Sequence, residues 1–190
     1  MFLQACLVLW LLPGIAGSGA IHFRALKTFT YQSNLLLVIG FFVMMVLYDS
    51  KIRYYLAVSV MLATTVTALV YNFLLVPFAQ APMFFSSYVN FSTHVLAMVL
   101  ALANYFIFES KGFLNRWNII AGMVFPGAYW AVFVSIGERI NFFPYFFMNP
   151  NDVGWSMVFL WFGILLAAFA GLGFLLILFD KRKVSHSINE

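Results

Sequence analysis

Four hydrogen-bonding side chains lie together where a long apolar run begins. Within KTFTYQSNLL (residues 27–36) they are Thr30, Gln32, Ser33 and Asn34. Polar side chains in apolar surroundings are costly unless they have partners or a function. Thr30 and Asn34 are four residues apart and therefore share one face of a helix. We interpret the Thr30 hydroxyl as the candidate reactive group.

A histidine supplies the second candidate. His94 lies inside another apolar run, whereas the other two histidines lie in more polar segments. A threonine hydroxyl attacks poorly until a base removes its proton, and a neutral imidazole at hydrogen-bond distance can remove it. The amides of Gln32, Asn34 or Asn90 would then stabilise the oxyanion that forms from an ester carbonyl. These residue types therefore indicate nucleophilic ester hydrolysis.

The composition defines the class of protein that must position these groups. Of 190 residues, 64% are hydrophobic and 8% are charged, whereas soluble domains have about 25% charged residues. Apolar runs of about 20 residues favour spanning helices over barrel strands. The fold class predicted is an all-α integral membrane protein. In a membrane protein, the positive net charge of +4 is information about orientation, because basic residues mark the cytoplasmic links. We therefore do not read it as a nucleic-acid-binding surface, and we expect no nucleic-acid partner.

Six apolar runs predict a six-transmembrane helix bundle. The spans are residues 1–21, 30–48, 56–78, 90–108, 118–136 and 155–179. The first run lacks the basic start of a signal peptide, so we expect a span there. The bundle forms one domain over residues 1–180, and a basic tail follows over residues 181–190. The single cysteine, Cys6, allows no disulfide within the chain, and no histidine or cysteine spacing suggests a metal or cofactor.

Basic residues near the span ends predict the orientation. One side has seven, namely Lys51, Arg53, Lys111, Arg116, Lys181, Arg182 and Lys183. The other has three, Arg24, Lys27 and Arg139. The positive-inside rule then puts both termini in the cytoplasm. Thr30 and His94, each near the start of a span that begins outside, would lie at similar depth near the non-cytoplasmic face of the cell membrane.

A third member of the site is left open. A Ser-His-Asp arrangement uses a carboxylate to orient the histidine. Glu138 and Asp152 are the acids on the predicted outer side, so the orienting group is one of these two, or the site is a dyad. The aromatic segment FFPYFF (residues 142–147) fits either an interfacial belt or a lid over a lipid site. As a lid, it would bring Pro144 and Tyr145 to the substrate.

Structural interpretations compete with each of these assignments. Thr30 and Asn34 are also typical of helix caps and of hydrogen bonds between helices. A lone histidine is often a packing residue, although inside a membrane it favours function. Gly163, Ala167 and Gly171 are spaced for a close helix contact. Lipid binding or transport without catalysis, and a purely structural role, therefore remain alternatives.

Four short segments stand in a distinctive order along the chain, namely FTYQSNLL (29–36), VNFSTHVL (89–96), FPGAYW (125–130) and FFPYFF (142–147). Together they resemble the ordered landmarks of a known family, the androgen-induced protein and ADTRP-like membrane proteins with their six-helix bacterial relatives. The animal members are intramembrane threonine hydrolases that cleave fatty acid esters of hydroxy fatty acids. The resemblance implies Thr30 as nucleophile, His94 as base and a lipid ester as substrate, with no cofactor.

The chain departs from the family pattern in its last external link. The bacterial branch often has a YPYP-like signature there, and this chain has Phe143, Pro144, Tyr145 and Phe146. Asn149 stands where an acid is expected. From the residue types and the resemblance, we assign Thr30 and His94 to catalysis. We assign substrate binding to Gln32, Ser33, Asn34, Asn90, Pro144 and Tyr145.

Overall fold

Helices account for all the regular structure in the residues that the computed structural model describes, 27–83 and 85–187. The predicted first span, Cys6 and Arg24 lie outside these residues, as do the last three residues of the tail. Side chains are described as far as Lys181. Within this part of the chain, five helices are long and apolar enough to cross a membrane. The protein is thus a multi-pass helical membrane protein.

The five spanning helices follow the predicted runs closely. Helix α1 is Phe29–Val46, α2 is Ile52–Phe78, α3 is Tyr88–Phe108, α4 is Arg116–Ile136 and α6 is Trp155–Ser187, with a short α5 at Pro150–Val153. A 3-10 turn, Phe146–Met148, precedes α5. The last helix is longer than the predicted span because it continues into the basic segment.

Local sequence explains where several helices begin. The side chain of Thr28 caps α1 by accepting a hydrogen bond from the Tyr31 N–H. Ser87 caps α3 in the same way. Asn115 and Asn118 form a reciprocal capping box at the start of α4. Each cap satisfies a backbone N–H that a helix start leaves without an intrahelical partner.

Helix α2 is the centre of the bundle. It packs against α1, α3 and α4, and α6 packs mainly against α4 while also contacting α2. Gly40 and Gly122 permit this packing, because an added Cβ would lie 2.7 Å from Val60 and 2.9 Å from Leu62, respectively. Large apolar side chains instead cover the outside of the bundle, among them Phe42, Phe73, Phe78, Phe159 and Phe174. Such an apolar exterior suits lipid rather than water.

The expected close contact at Gly163, Ala167 and Gly171 does not form among the residues that the structure describes. All three are exposed, and within this part of the chain a Cβ at Gly163 or Gly171 would meet no atom within 4 Å. A close approach of α6 is made instead by Gly173, where an added Cβ would lie 2.9 Å from Ile119 of α4. Gly173 lies outside the four-residue spacing on which the expectation was based.

The helices α2 and α3 each contain one wider π turn. These turns are Tyr71–Leu75 and Ser92–Leu96. In each, the N–H of the following residue donates five residues back, from Val76 to Tyr71 and from Ala97 to Ser92. Turns of this kind are uncommon and often lie at functional sites. Both lie toward the same end of the bundle.

Buried charges join the helices at the other end, which we call the Asp180 end. Arg53 donates to both carboxylate oxygens of Glu109, at 2.9 and 3.0 Å, and to the Tyr48 carbonyl at 2.7 Å. Asp180 accepts from the Tyr105 hydroxyl at 2.6 Å. It also accepts, at 2.9 Å each, from the backbone N–H groups of Gly112 and Leu114. We call this set the Arg53–Glu109–Asp180 cluster.

Candidate functional site

The site lies at the opposite end of the bundle, which we call the Thr30 end, where α1 begins. Thr30, Ser33 and Asn34 are all buried, and Gln32 is half-buried. The three buried residues lie on one helix face because they are three and four positions apart. The Ser33 hydroxyl lies 2.9 Å from the Thr67 hydroxyl and donates to the Thr30 carbonyl at 3.0 Å. This face of α1 is thereby joined to α2.

The Asn34 amide joins α1 to α3. Its Nδ2 donates to the Thr30 carbonyl at 2.7 Å and to the Thr93 carbonyl at 3.0 Å. Both partners can only accept, so the orientation of the amide is fixed. Its Oδ1 is buried and has no hydrogen-bond partner among residues 27–83 and 85–187. The residue next to His94 is therefore held against the start of α1.

His94 lies in the middle of the π turn of α3, and it is 6% exposed. Its Nδ1 lies 3.1 Å from the Asn90 carbonyl and 3.1 Å from the Thr93 hydroxyl. The carbonyl can only accept, so a neutral ring must carry its proton on Nδ1. The Thr93 hydroxyl donates to Val89 at 2.8 Å and so can accept from the same N–H. The Nε2 lone pair is left to act as a base.

The imidazole ring is also held from one side by Tyr71. The two ring centroids are 3.4 Å apart and the planes differ by 18°. The Tyr71 hydroxyl donates to the Pro82 carbonyl at 2.5 Å, which links the ring to the loop between α2 and α3. Tyr71 and His94 each lie in one of the two π turns. No periodicity in the sequence pointed to this stack.

Neither predicted carboxylate orients the histidine. Glu138 and Asp152 are exposed, and Asp152 accepts from the Asn149 amide at 2.8 Å. In the part of the chain that the structure describes, neither forms a hydrogen bond or ion pair with His94. The group that orients the ring is the Asn90 backbone carbonyl. A sequence cannot signal such a partner, because every residue has a carbonyl.

Tyr145 approaches Thr30 from the last link. Its hydroxyl accepts from the Thr30 N–H at 3.4 Å, and its polar neighbours include the side chains of Thr30 and Tyr129. Tyr129 in turn donates to the Lys27 carbonyl at 2.9 Å. Burial raises the pKa of Tyr145, so its phenol stays protonated and able to donate. The FFPYFF segment thus brings Tyr145 to the start of α1.

An apolar cavity of about 50 Å³ adjoins this point. Thr30, Tyr129, Trp130 and Tyr145 line one part of it. The rest is mainly aliphatic and aromatic, including Val66, Pro126, Phe162, Leu165, Leu166 and Phe169. Several of these side chains are only half-buried. The lining is apolar with a few polar groups, which is typical of sites for apolar ligands.

The other predicted residues lie around this cavity rather than in it. Asn90 is half-buried, and its side chain donates to Ser86 at 2.9 Å. Pro144 lines a separate polar pocket together with Glu138 and Asp152. His94 does not line the cavity. Among the described residues, no hydrogen bond joins Thr30 to His94. The site is therefore two adjacent parts that share the Asn34 amide.

Tyr129 and Trp130 were not predicted as site residues, although both lie in the segment FPGAYW. Trp130 is 7% exposed, and its Nε1 has no hydrogen-bond partner in the part of the chain that the structure describes. Within residues 27–83 and 85–187, no group of three His, Cys, Asp or Glu side chains is arranged to hold a metal ion.

In comparisons with known proteins, no family model, curated protein or solved structure matches the chain.

Proposed function

We propose that this protein is an intramembrane hydrolase of lipid esters, with Thr30 as nucleophile and His94 as base. The observation that carries the proposal is that Thr30 lines an apolar cavity and that its side chain is a polar neighbour of the protonated phenol of Tyr145. The resemblance to the androgen-induced protein and ADTRP-like family implies the same two residues. Fatty acid esters, such as those of hydroxy fatty acids, are the substrate class.

The reaction would proceed by acyl transfer. The Thr30 oxygen attacks the ester carbonyl while His94 Nε2 takes its proton, and the tetrahedral oxyanion accepts hydrogen bonds from nearby donors. Collapse breaks the ester C–O bond, and the imidazolium returns the proton to the leaving alcohol. Water then attacks the acyl-threonine, with His94 again acting as base, and releases the fatty acid.

The base must reach the nucleophile for this chemistry. Asn34 holds the backbone of Thr30 and that of Thr93 on the same amide nitrogen, which keeps the helices of the two groups in contact. Catalytic hydrogen bonds are often long in a site without substrate and shorten in the complex. We propose that substrate binding in the cavity brings the Thr30 hydroxyl and His94 Nε2 within direct or one-water reach.

A non-catalytic lipid-binding protein is the second candidate. One observation favours it, namely that Thr30 and His94 share no hydrogen bond in the described part of the chain. In that case the cavity would hold a lipid while the His94 ring, stacked on Tyr71, would serve only in packing. The two candidates differ in whether the Thr30 oxygen becomes covalently modified.

A covalent probe separates these candidates. The purified full-length protein should react with an alkyl fluorophosphonate, and both Thr30→Ala and His94→Ala should reduce the labelling rate by about a thousandfold or more. Thr64→Ala is the matched control, because its buried hydroxyl bonds only to carbonyls of its own helix. Labelling that survives Thr30→Ala contradicts the proposed nucleophile. A wild-type protein that binds lipid ester but never labels supports the second candidate.

The proposed membrane arrangement has six spans, with residues 1–21 as the first and both termini in the cytoplasm of a cell-membrane protein. The site would then face the non-cytoplasmic side. Cys6 is the only cysteine, so a Cys6→Ser background allows single-cysteine mapping. An impermeant maleimide applied to intact cells should label Glu138→Cys and should not label Lys51→Cys. The reverse pattern contradicts this orientation.

A further inference from the structure

Trp130 carries a buried donor that nothing in the described part of the chain satisfies. The residue is 7% exposed, it lines the same cavity as Thr30, and its Nε1 has no hydrogen-bond partner. Buried polar groups are nearly always paired, and an unpaired one is destabilising. An indole N–H can only donate. A hydrogen-bond acceptor that approached this nitrogen from the cavity would satisfy it.

The indole ring is firmly held by its neighbours. It stacks on Phe147 with centroids 6.0 Å apart and planes within 14°, and it lies 5.3 Å from the Phe162 ring. Phe147 stacks in turn on Tyr145 at 5.2 Å and 9°. One aromatic column thus joins the unpaired donor to the phenol beside Thr30. Trp130, whose ring carries the unpaired donor, and Thr30 line the same cavity.

The lining also restricts the charge of the occupant. Among the residues that the structure describes, no Lys, Arg or His side chain lines this cavity. A carboxylate placed here would lose its hydration without gaining a cation, which is far more costly than burying a neutral carbonyl with one hydrogen bond. A neutral ester carbonyl satisfies the indole N–H at no such cost. The site should therefore prefer the ester to the free fatty acid.

We propose that the Trp130 indole N–H binds the carbonyl oxygen of a neutral acyl ester whose chain lies between α4 and α6 against Pro126, Leu165 and Phe169. Trp130 would be a specificity-determining residue, selecting a carbonyl and rejecting a carboxylate. The assignment of the ligand as an ester rests on the proposed function. The presence of an acceptor-bearing ligand rests on the unpaired donor itself.

The test compares three ligands that share one alkyl chain, namely an ester, the ether without its carbonyl, and the free fatty acid at neutral pH. Their Kd values are measured on full-length protein in nanodiscs, in a Thr30→Ala background that prevents turnover. Trp130→Phe keeps the aromatic ring and removes only the donor. It should raise the Kd of the ester about tenfold and leave the Kd of the ether unchanged. The free acid should bind more weakly than the ester in the parent protein.

A matched control and a spectroscopic readout complete the experiment. Trp161→Phe likewise replaces an indole by a phenyl ring. The Trp161 ring also packs on Phe147, with centroids 5.7 Å apart, but Trp161 does not line the cavity. This substitution should therefore change none of the three Kd values. With a 13C-labelled ester carbonyl, the bound C=O stretch should lie at lower wavenumber in the parent than in Trp130→Phe.

Two results would overturn the inference about Trp130. One is an equal loss of ester and ether affinity in Trp130→Phe, which would make the effect one of packing. The other is ester affinity and a C=O stretch that Trp130→Phe leaves unchanged. Failure of the hydrolase proposal looks different, because the fluorophosphonate would not label Thr30 while the ester-to-ether discrimination by Trp130 persisted.

Discussion

The two ends of the bundle bury polar groups in opposite ways. At the Asp180 end, Arg53 donates to both Glu109 oxygens, and Asp180 receives three hydrogen bonds. At the Thr30 end, the Asn34 Oδ1 and the Trp130 Nε1 are buried without hydrogen-bond partners among the described residues. Fully paired groups leave nothing to bind a ligand with, whereas unpaired ones keep that capacity. The first end holds helices together, and the second is where a ligand would bind.

The pairing at the Asp180 end is also what an apolar bundle needs from buried charges. Glu109 and Asp180 are 4% and 1% exposed. A buried carboxylate is tolerated when it is paired and hydrogen-bonded, and removing one partner leaves an uncompensated charge.

A third unpaired atom in the described part of the chain, Thr65 Oγ1, lies near the middle of α2 and belongs to neither end. The contrast between the ends therefore rests on Asn34 and Trp130, and it can be tested by disrupting each end separately.

Disrupting the Asp180 end should have the largest effect on stability. Glu109→Ala leaves the Arg53 guanidinium buried without its carboxylate, so the free energy of unfolding should fall by about 3–5 kcal/mol. Unfolding in mixed detergent micelles measures it. Glu138→Ala removes an exposed carboxylate and should stay within about 0.5 kcal/mol of the wild type. A loss below 1 kcal/mol for Glu109→Ala would show that the cluster contributes little.

Disrupting the Asn34 bridge should have an intermediate effect. Asn34→Leu keeps the side-chain size and removes both hydrogen bonds to the Thr30 and Thr93 carbonyls. The expected loss of unfolding free energy is about 1–3 kcal/mol. Fluorophosphonate labelling of the folded fraction should also slow, because α1 and α3 lose their shared amide.

A matched substitution separates this effect from the general cost of losing an asparagine. Asn72→Leu removes one hydrogen bond within α2, from Nδ2 to the Ala68 carbonyl at 2.8 Å, and should leave the labelling rate unchanged. If both variants slow labelling equally, Asn34 has no special position between the two parts of the site.

Much of the fold followed from the sequence, and the physical reason is simple. Apolar run length determines where a spanning helix lies, so the predicted run 30–48 became Phe29–Val46 and the start of the last helix at Trp155 was correct. Run length does not determine which helix face packs. Every face in a membrane bundle is apolar, so periodicity carries little information about contacts. The misplaced Gly163 contact shows this limit.

The site was less predictable than the fold for a related reason. The π turn around His94 depends on which carbonyl each N–H selects, and it shifts every later side chain around the helix axis. The Arg53–Glu109 pair joins residues 56 positions apart, and in the sequence these residues were only charges near span ends. Thr30 and His94 were selected as candidates by residue type. Tyr71 and Trp130 were not, because their roles depend on packing.

The smallest predicted effect tests whether Tyr71 acts on His94 through its ring. Tyr71→Phe keeps the stack at 3.4 Å and removes only the hydrogen bond to Pro82, so unfolding free energy should fall by about 0.5–1.5 kcal/mol with labelling nearly unchanged. Tyr71→Leu removes the stack and should slow labelling as well, because the imidazole loses one of its restraints. Tyr55→Phe, a half-buried tyrosine near the other end of α2, should alter stability by no more than about 0.5 kcal/mol. Equal labelling rates in Tyr71→Phe and Tyr71→Leu would mean that the Asn90 carbonyl alone orients His94. The stack would then have only a structural role, like the contacts at the Asp180 end.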